Sequence, residues 1–141
     1  MKYTPNMETL KVIVVDDNEP FRNAIKRLLT KEYNAEIIGE ASNGAEFLAL
    51  TNHHLASVIL MDVMMPEIDG VTLAKRVLWL NPHLKIIAIT MHVDKVYLAT
   101  LVAAGFKGCV FKNMLFEELG TAIQKVIEGN LYFPKNITLT D

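Results

Sequence analysis

Five short runs of apolar, mostly β-branched residues recur along this chain, and after each one the apolar positions switch to helical spacing. The runs cover residues 10–15, 35–40, 57–61, 85–90 and 108–112. Val12-Ile13-Val14-Val15 and Val58-Ile59-Leu60-Met61 show no polar alternation, as expected of strands buried on both faces. Phe21, Ile25, Leu28 and Leu29 mark the first helix, and Asn43-Gly44 opens a second through Phe47, Leu48 and Leu50. A third carries Val71, Leu73, Ala74, Val77 and Leu78 and is stopped by Asn81-Pro82. A fourth, over residues 93–104, ends at Gly105, and a last one carries Leu115, Leu119, Ile123 and Val126 before Gly129-Asn130. Strand followed by helix, repeated in this way, predicts a parallel sheet with helices on both faces. In such folds ligands bind beyond the carboxyl ends of the strands, where the strand order switches. The residues that end the runs are therefore the candidate site.

The 141 residues suffice for one domain that folds without disulfides. Hydrophobic residues at 51% and charged residues at 21% describe a globular chain with a core. A formal net charge of −2 argues against nucleic acid or an anionic membrane as a direct partner of this segment. The single cysteine, Cys109, excludes an intramolecular disulfide and fits a reducing compartment. Residues 1–9, read as a flexible tail, lack the apolar centre of a secretory signal, and no apolar stretch has the length of a membrane span. A cytoplasmic protein is the expectation.

The first run ends in Asp16-Asp17, the third in Asp62, the fourth in Thr90 and the fifth in Lys112. Three carboxylates gathered at one sheet edge repel one another and are costly to keep ionised without a cation. A hard divalent ion such as Mg²⁺ takes oxygen ligands and keeps some water, which leaves room for phosphate oxygens. Lys112 supplies a second positive charge and Thr90 a neutral donor. A carboxylate in that setting is placed to attack phosphorus and form an aspartyl-phosphate.

Val-Val-Asp-Asp-Asn at 14–18, Val-Ile-Leu-Met-Asp-Val-Met-Met-Pro-Glu-Ile-Asp-Gly at 58–70, Ile-Ala-Ile-Thr at 87–90 and Val-Phe-Lys at 110–112 resemble the motifs of response-regulator receiver domains. The four occur in order, at strand ends, within residues 10–128, the expected receiver domain; residues 129–141 would be a tail or the start of a linker. The resemblance implies a flavodoxin-like (βα)5 three-layer sandwich with a five-stranded parallel sheet in the order 2-1-3-4-5. It implies that Asp62 accepts a phosphoryl group from a sensor histidine kinase or phosphotransfer protein. Asp17, Asp62 and the main-chain carbonyl of Met64 would ligate Mg²⁺ (or Mn²⁺), and Asp16 would act through a metal-bound water. Thr90 and Lys112 would contact phosphoryl oxygens, with Thr90 moving inward on phosphorylation. Such a switch catalyses its own phosphorylation and dephosphorylation and is not otherwise an enzyme.

The segment Ile127-Glu128-Gly129-Asn130-Leu131-Tyr132-Phe133, and Asn113 after Lys112, are most similar to the NarL/LuxR-like group. In that group the receiver precedes a helix-turn-helix domain, so DNA contact would come only through an output domain and not through this segment. A homodimer is compatible with the resemblance, and a stand-alone or pseudo-receiver interaction module is the alternative.

Some positions depart from the pattern. Cys109 stands where the family commonly has a switching aromatic, and Phe111 is read as facing the other side of its strand. Met91 follows Thr90 where a small residue is common and would crowd the path into the site. Met64 and His92 stand where family members tune hydrolysis of the acyl phosphate, and a bulky Met64 is expected to hinder attacking water. Other chemistry fits less well. A haloacid-dehalogenase-like phosphatase wants Asp-x-Asp after the first strand, and a flavin module wants a Ser/Thr/Gly-rich loop there; Asp16-Asp17-Asn18-Glu19-Pro20 is neither. Asp69-Gly70 reads as turn chemistry. Glu19 reads as a first-turn glutamate that favours the helix dipole, His53-His54 as a solvated helix end and Cys109 as a small buried residue. Trp79 is left either packed beside Leu78 and Leu80 or at a contact surface.

Overall fold

The structure, a computed structural model, describes residues 9–91 and 93–134. His92 and most of the expected N-terminal tail lie outside the described residues. Strands β1 (Lys11–Val15), β2 (Glu36–Ala41), β3 (Val58–Asp62), β4 (Ile86–Thr90) and β5 (Gly108–Phe111) alternate with helices α1 (Glu19–Glu32), α2 (Gly44–Ala49), α3 (Gly70–Leu80), α4 (Lys95–Ala104) and α5 (Leu115–Ile127). The strands form one sheet in the order β2-β1-β3-β4-β5, and every pairing within it is parallel. The predicted order is therefore the observed one. Strand limits differ by about one residue from those read in the sequence. Two single 3₁₀ turns, His53–Leu55 and Lys112–Met114, were not foreseen.

The period-two geometry of the strands divides the core. Ile13, Val15, Ile59, Met61, Ile86, Ala88, Cys109 and Phe111 pack with Phe47 of α2, Leu73 and Val77 of α3 and Leu98 and Leu101 of α4. Val12, Val14, Val58, Leu60, Ile87, Ile89 and Val110 pack with Ile25 and Leu29 of α1 and Leu119 and Ile123 of α5. Burial on both faces explains the unbroken apolar runs. β2, at the sheet edge, is only partly buried.

Helix starts are set by short polar side chains. Asn18, Asn43, Asp69 and Asp94 each accept a hydrogen bond from the backbone N–H three residues on, capping α1, α2, α3 and α4. Asp69-Gly70 is thus turn and cap chemistry, as expected, and Glu19 sits in the first turn of α1. Gly105 ends α4 in the left-handed conformation (φ 103°).

After α5 the chain turns back to the free edge of β5. The Cys109 N–H donates to the Tyr132 carbonyl at 2.8 Å, and the Tyr132 N–H donates to the Lys107 carbonyl at 3.0 Å. Phe133, next in the chain, packs against the α2–α3–α4 side of the core.

Candidate phosphoryl-acceptor site

β1 and β3 are neighbours, with Val15 paired to Met61, so Asp16 and Asp62 are delivered side by side at the carboxyl edge. Both continue the even-numbered rows that face α1 and α5. Asp16 is 1% exposed and Asp62 3%, whereas Asp17 is exposed. One carboxylate oxygen from each of the three lies within 4.8 Å of the others. Asp16 Oδ1 accepts from the Asn18 N–H at 2.8 Å, and Asp62 Oδ1 accepts from the Met64 N–H at 3.0 Å. These two-residue turns fix each carboxylate and leave its second oxygen facing the hollow.

Lys112 fills part of that hollow. Its Nζ is 3.2 Å from Asp16 Oδ2 and 3.5 Å from Asp62 Oδ2, and its side chain is 19% exposed. Asp16 Oδ2 is buried and makes no hydrogen bond of good geometry, so the ammonium beside it acts as an ion-pair partner only. Thr90, the last residue of β4, is fully buried, and its Oγ1 has no hydrogen-bond partner among the described residues. An unpaired buried hydroxyl is unfavourable by about 1–3 kcal/mol, which an incoming acceptor oxygen would recover.

Electrostatics single out Asp62. Burial is the largest influence and pushes its carboxyl up to about 6; the Met64 amide opposes this, Asp16 adds to it, Lys112 opposes it and Asp17 adds to it. Three hard oxygen donors, one of them unsatisfied, fit a divalent cation that prefers oxygen ligands. Such an ion would relieve the repulsion that Lys112 alone leaves uncompensated.

The surrounding chain braces the acids. A Cβ on Gly70 would lie 2.6 Å from Val63 Cα and 2.8 Å from the Asp62 carbonyl oxygen, so glycine is needed for α3 to start this close to the acceptor. Arg22 of α1 donates to the Asp16 carbonyl and to Glu40 at 2.9 Å, and Lys26 donates to Glu40 at 2.7 Å. Hydrogen bonds from Lys26 and then Arg22 hold the Glu40 carboxyl below its ordinary range.

The sequence-predicted residues Asp16, Asp17, Asp62 and Lys112 come together, with the Met64 backbone beside them. Thr90 ends the strand next to Asp62, one residue beyond the Ile89 that pairs with it. The side chains of Met64 and Met91 are exposed. Cys109 is the small buried residue expected, and burial pushes its thiol up to about 12.

Other readings need correction. Phe111 lies on the same side of β5 as Cys109, because residues two apart share a face; Val110 faces the other way. His53 is not a solvated end: its Nε2 bonds the Phe47 carbonyl at 2.7 Å and its ring stacks on Phe47 at 4.4 Å. Of the two placements left open for Trp79, the packed one is excluded: Trp79 is 86% exposed and Leu80 is exposed beside it. Phe21 is a core-facing residue of α1, as expected, and its ring also lies 4.4 Å from Lys112 Nζ, a contact the helical spacing does not reveal.

Comparisons with known proteins agree with this fold. The family profile described as response regulator receiver domain matches residues 12–124. The transcriptional regulatory protein DegU of Brevibacillus brevis is 27% identical over 94% of this chain and 56% of its own length. The response regulator GacA of Pseudomonas aeruginosa is 32% identical over 91% of this chain and 60% of its own. The chain thus spans a little over half the length of these curated relatives. Among solved structures, the signal receiver domain of the putative response regulator NarL from Mycobacterium tuberculosis superposes with a TM-score of 0.79 at 28% identity, covering 87% of this chain and 99% of that one. With the acids, hydroxyl and lysine at the strand ends where the motifs predict them, the chain belongs to the response regulator receiver domain family, among relatives of the NarL/LuxR group.

Proposed function

We propose that Asp62 is the phosphoryl acceptor of a phosphorelay, and that the donor is the phosphohistidine of a sensor histidine kinase or phosphotransfer protein. An Asp62 carboxylate oxygen attacks phosphorus, the P–O bond forms as the P–N bond to the imidazole breaks, and the imidazole leaves with a proton on nitrogen. Asp16, Asp17, Asp62 and the Met64 carbonyl would hold Mg²⁺ or Mn²⁺, which supplies charge neutralisation for phosphoryl transfer when bound. Lys112 contributes a fixed positive charge beside Asp62, and the Thr90 hydroxyl gains an acceptor in the phosphoryl oxygen. The observation that carries this reading is the convergence of three carboxylate oxygens within 4.8 Å, with Lys112 Nζ bridging Asp16 and Asp62.

Phosphorylation would change the charge at the ends of β3, β4 and β5 and so bias the surfaces that α4 and α5 present. The output is proposed to be a DNA-binding regulator domain in a longer protein, with a homodimer as one form of the switched state and the cytoplasm as its location. Among the described residues no helix is long and apolar enough to cross a membrane. The protein is proposed to turn over no substrate beyond its own acyl phosphate. Incubation with Mg²⁺ and phosphoramidate, followed by intact-mass measurement, is expected to show one added phosphate that is absent in Asp62→Asn. An unmodified wild type, or equal modification of both proteins, would overturn the proposal.

A further inference from the structure

We propose that Phe21 is a positioning residue for Lys112, holding its ammonium over the acidic pocket through the face of the phenyl ring. The inference rests on the phosphoryl-acceptor reading for its consequence, but its geometry stands separately. Lys112 Nζ sits 4.4 Å from the centre of the Phe21 ring and 3.2 and 3.5 Å from carboxylate oxygens of Asp16 and Asp62. A cation over an aromatic face at this distance is attracted by the ring quadrupole, more strongly when water is largely removed. With a side chain 19% exposed, Lys112 is in that regime.

The contact closes a loop of interactions. Asp16 Oδ1 accepts from the Asn18 N–H at 2.8 Å, and Asn18 Oδ1 accepts from the Phe21 N–H at 2.9 Å as the cap of α1. Phe21 then contacts Lys112, and Lys112 returns to Asp16 at 3.2 Å. The position of the ring is therefore set by the same acid that the ammonium faces. Lysine needs such support, because its four-carbon stem is flexible and its ammonium is strongly hydrated. Arg22, the next residue, is not a substitute: its guanidinium is engaged by Glu40 and by the Asp16 carbonyl. Leucine in place of Phe21 would keep much of the apolar volume and remove the π face.

The test compares wild type, Phe21→Leu and Phe21→Tyr, each alone and combined with Lys112→Ala. The first readout is proton NMR of the Lys112 Cε methylene in untreated protein. Ring-current shielding is expected in wild type and Phe21→Tyr and its loss in Phe21→Leu; an unshielded methylene in wild type overturns the proposal. The second readout is the rate of phosphorylation by phosphoramidate with Mg²⁺. Phe21→Leu is expected to slow it about fivefold, with Phe21→Tyr close to wild type. Combined with Lys112→Ala, Phe21→Leu should produce no further slowing. Equal slowing by Leu and Tyr, or equal slowing with and without Lys112, would show a structural role only and overturn the assignment. If wild type takes no phosphate, the acceptor reading fails and with it the consequence for transfer, while the methylene shift still decides the contact.

Discussion

At the residue scale, the molecule concentrates an unfavourable charge where its chemistry is proposed. Asp62 has an ordinary carboxyl value of 3.8 and is pushed up to about 6 in the folded state. The folded state thus binds this proton more tightly than the unfolded one, so stability falls as pH rises between these values and the full penalty applies above them. The gap corresponds to roughly 3 kcal/mol at most. In metal-free protein, Asp62→Asn is therefore expected to melt higher than wild type at pH 7.5, with the advantage vanishing near pH 4; thermal melts in chelator at both pH values check this. Met64 is a residue-scale matter too. Its side chain is exposed, and its amide donates to the Asp62 carboxylate. Met64→Asn should let water reach the acyl phosphate and shorten its half-life, measured as loss of the phosphorylated mass with time.

At the scale of elements, β5 carries more than its length suggests. It presents Lys112 at one end, sets Cys109 and Phe111 on one face, and takes the returning chain along its free edge. Gly108 makes that return possible: a Cβ there would meet the Tyr132 carbonyl oxygen at 2.9 Å, a backbone atom that yields only if the strap shifts. Gly108→Ala is expected to loosen the strap at a cost of about 1–2 kcal/mol. Amide hydrogen exchange should then accelerate at Cys109 and Tyr132, which donate the two bonds across that edge, while the amides of β1 keep their protection. α4 is tied to the sheet through Tyr97, which is partly buried against the core that contains Cys109. Burial raises the Tyr97 phenol first, and the carboxylates of Asp69 and Asp62 add to it. With a small cysteine at 109, the aromatics on this face include Phe111 on the strand and Tyr97 on the helix.

At the scale of the whole molecule, the acid pocket links metal binding to global stability, because an ion that binds only the folded state stabilises it by mass action, by about 2.7 kcal/mol at one hundred times its dissociation constant. Mg²⁺ is expected to raise the melting temperature at pH 7.5 and to do so less at pH 5, where Asp62 holds its proton. Asp17→Ala should remove most of the increase, since Asp17 is one of the three clustered acids and, being exposed, contributes little to packing. A calorimetric or fluorescence melt with and without chelator distinguishes these outcomes.

The sequence by itself determined the fold class and the acidic site. Unbroken apolar runs can only be satisfied by burial on both faces, and a run that gives way to a polar or charged residue ends at the sheet edge; Asp16, Asp62, Thr90 and Lys112 were legible for that reason. Asp69-Gly70 and Gly105 were equally legible as local turn chemistry, whereas the Asn18 cap of α1 was seen only in the structure. Side-chain partnerships across elements were decided by tertiary structure. Phe21 and Lys112 are 91 residues apart in sequence, and only the packing of α1 over the even-numbered rows of the sheet brings ring and ammonium together. The same holds for His53 on Phe47, for Arg22 and Lys26 on Glu40, and for the strap on β5. Period and propensity report the face on which a residue lies; which neighbour it meets there depends on strand order and helix placement, which the complete core sets at once.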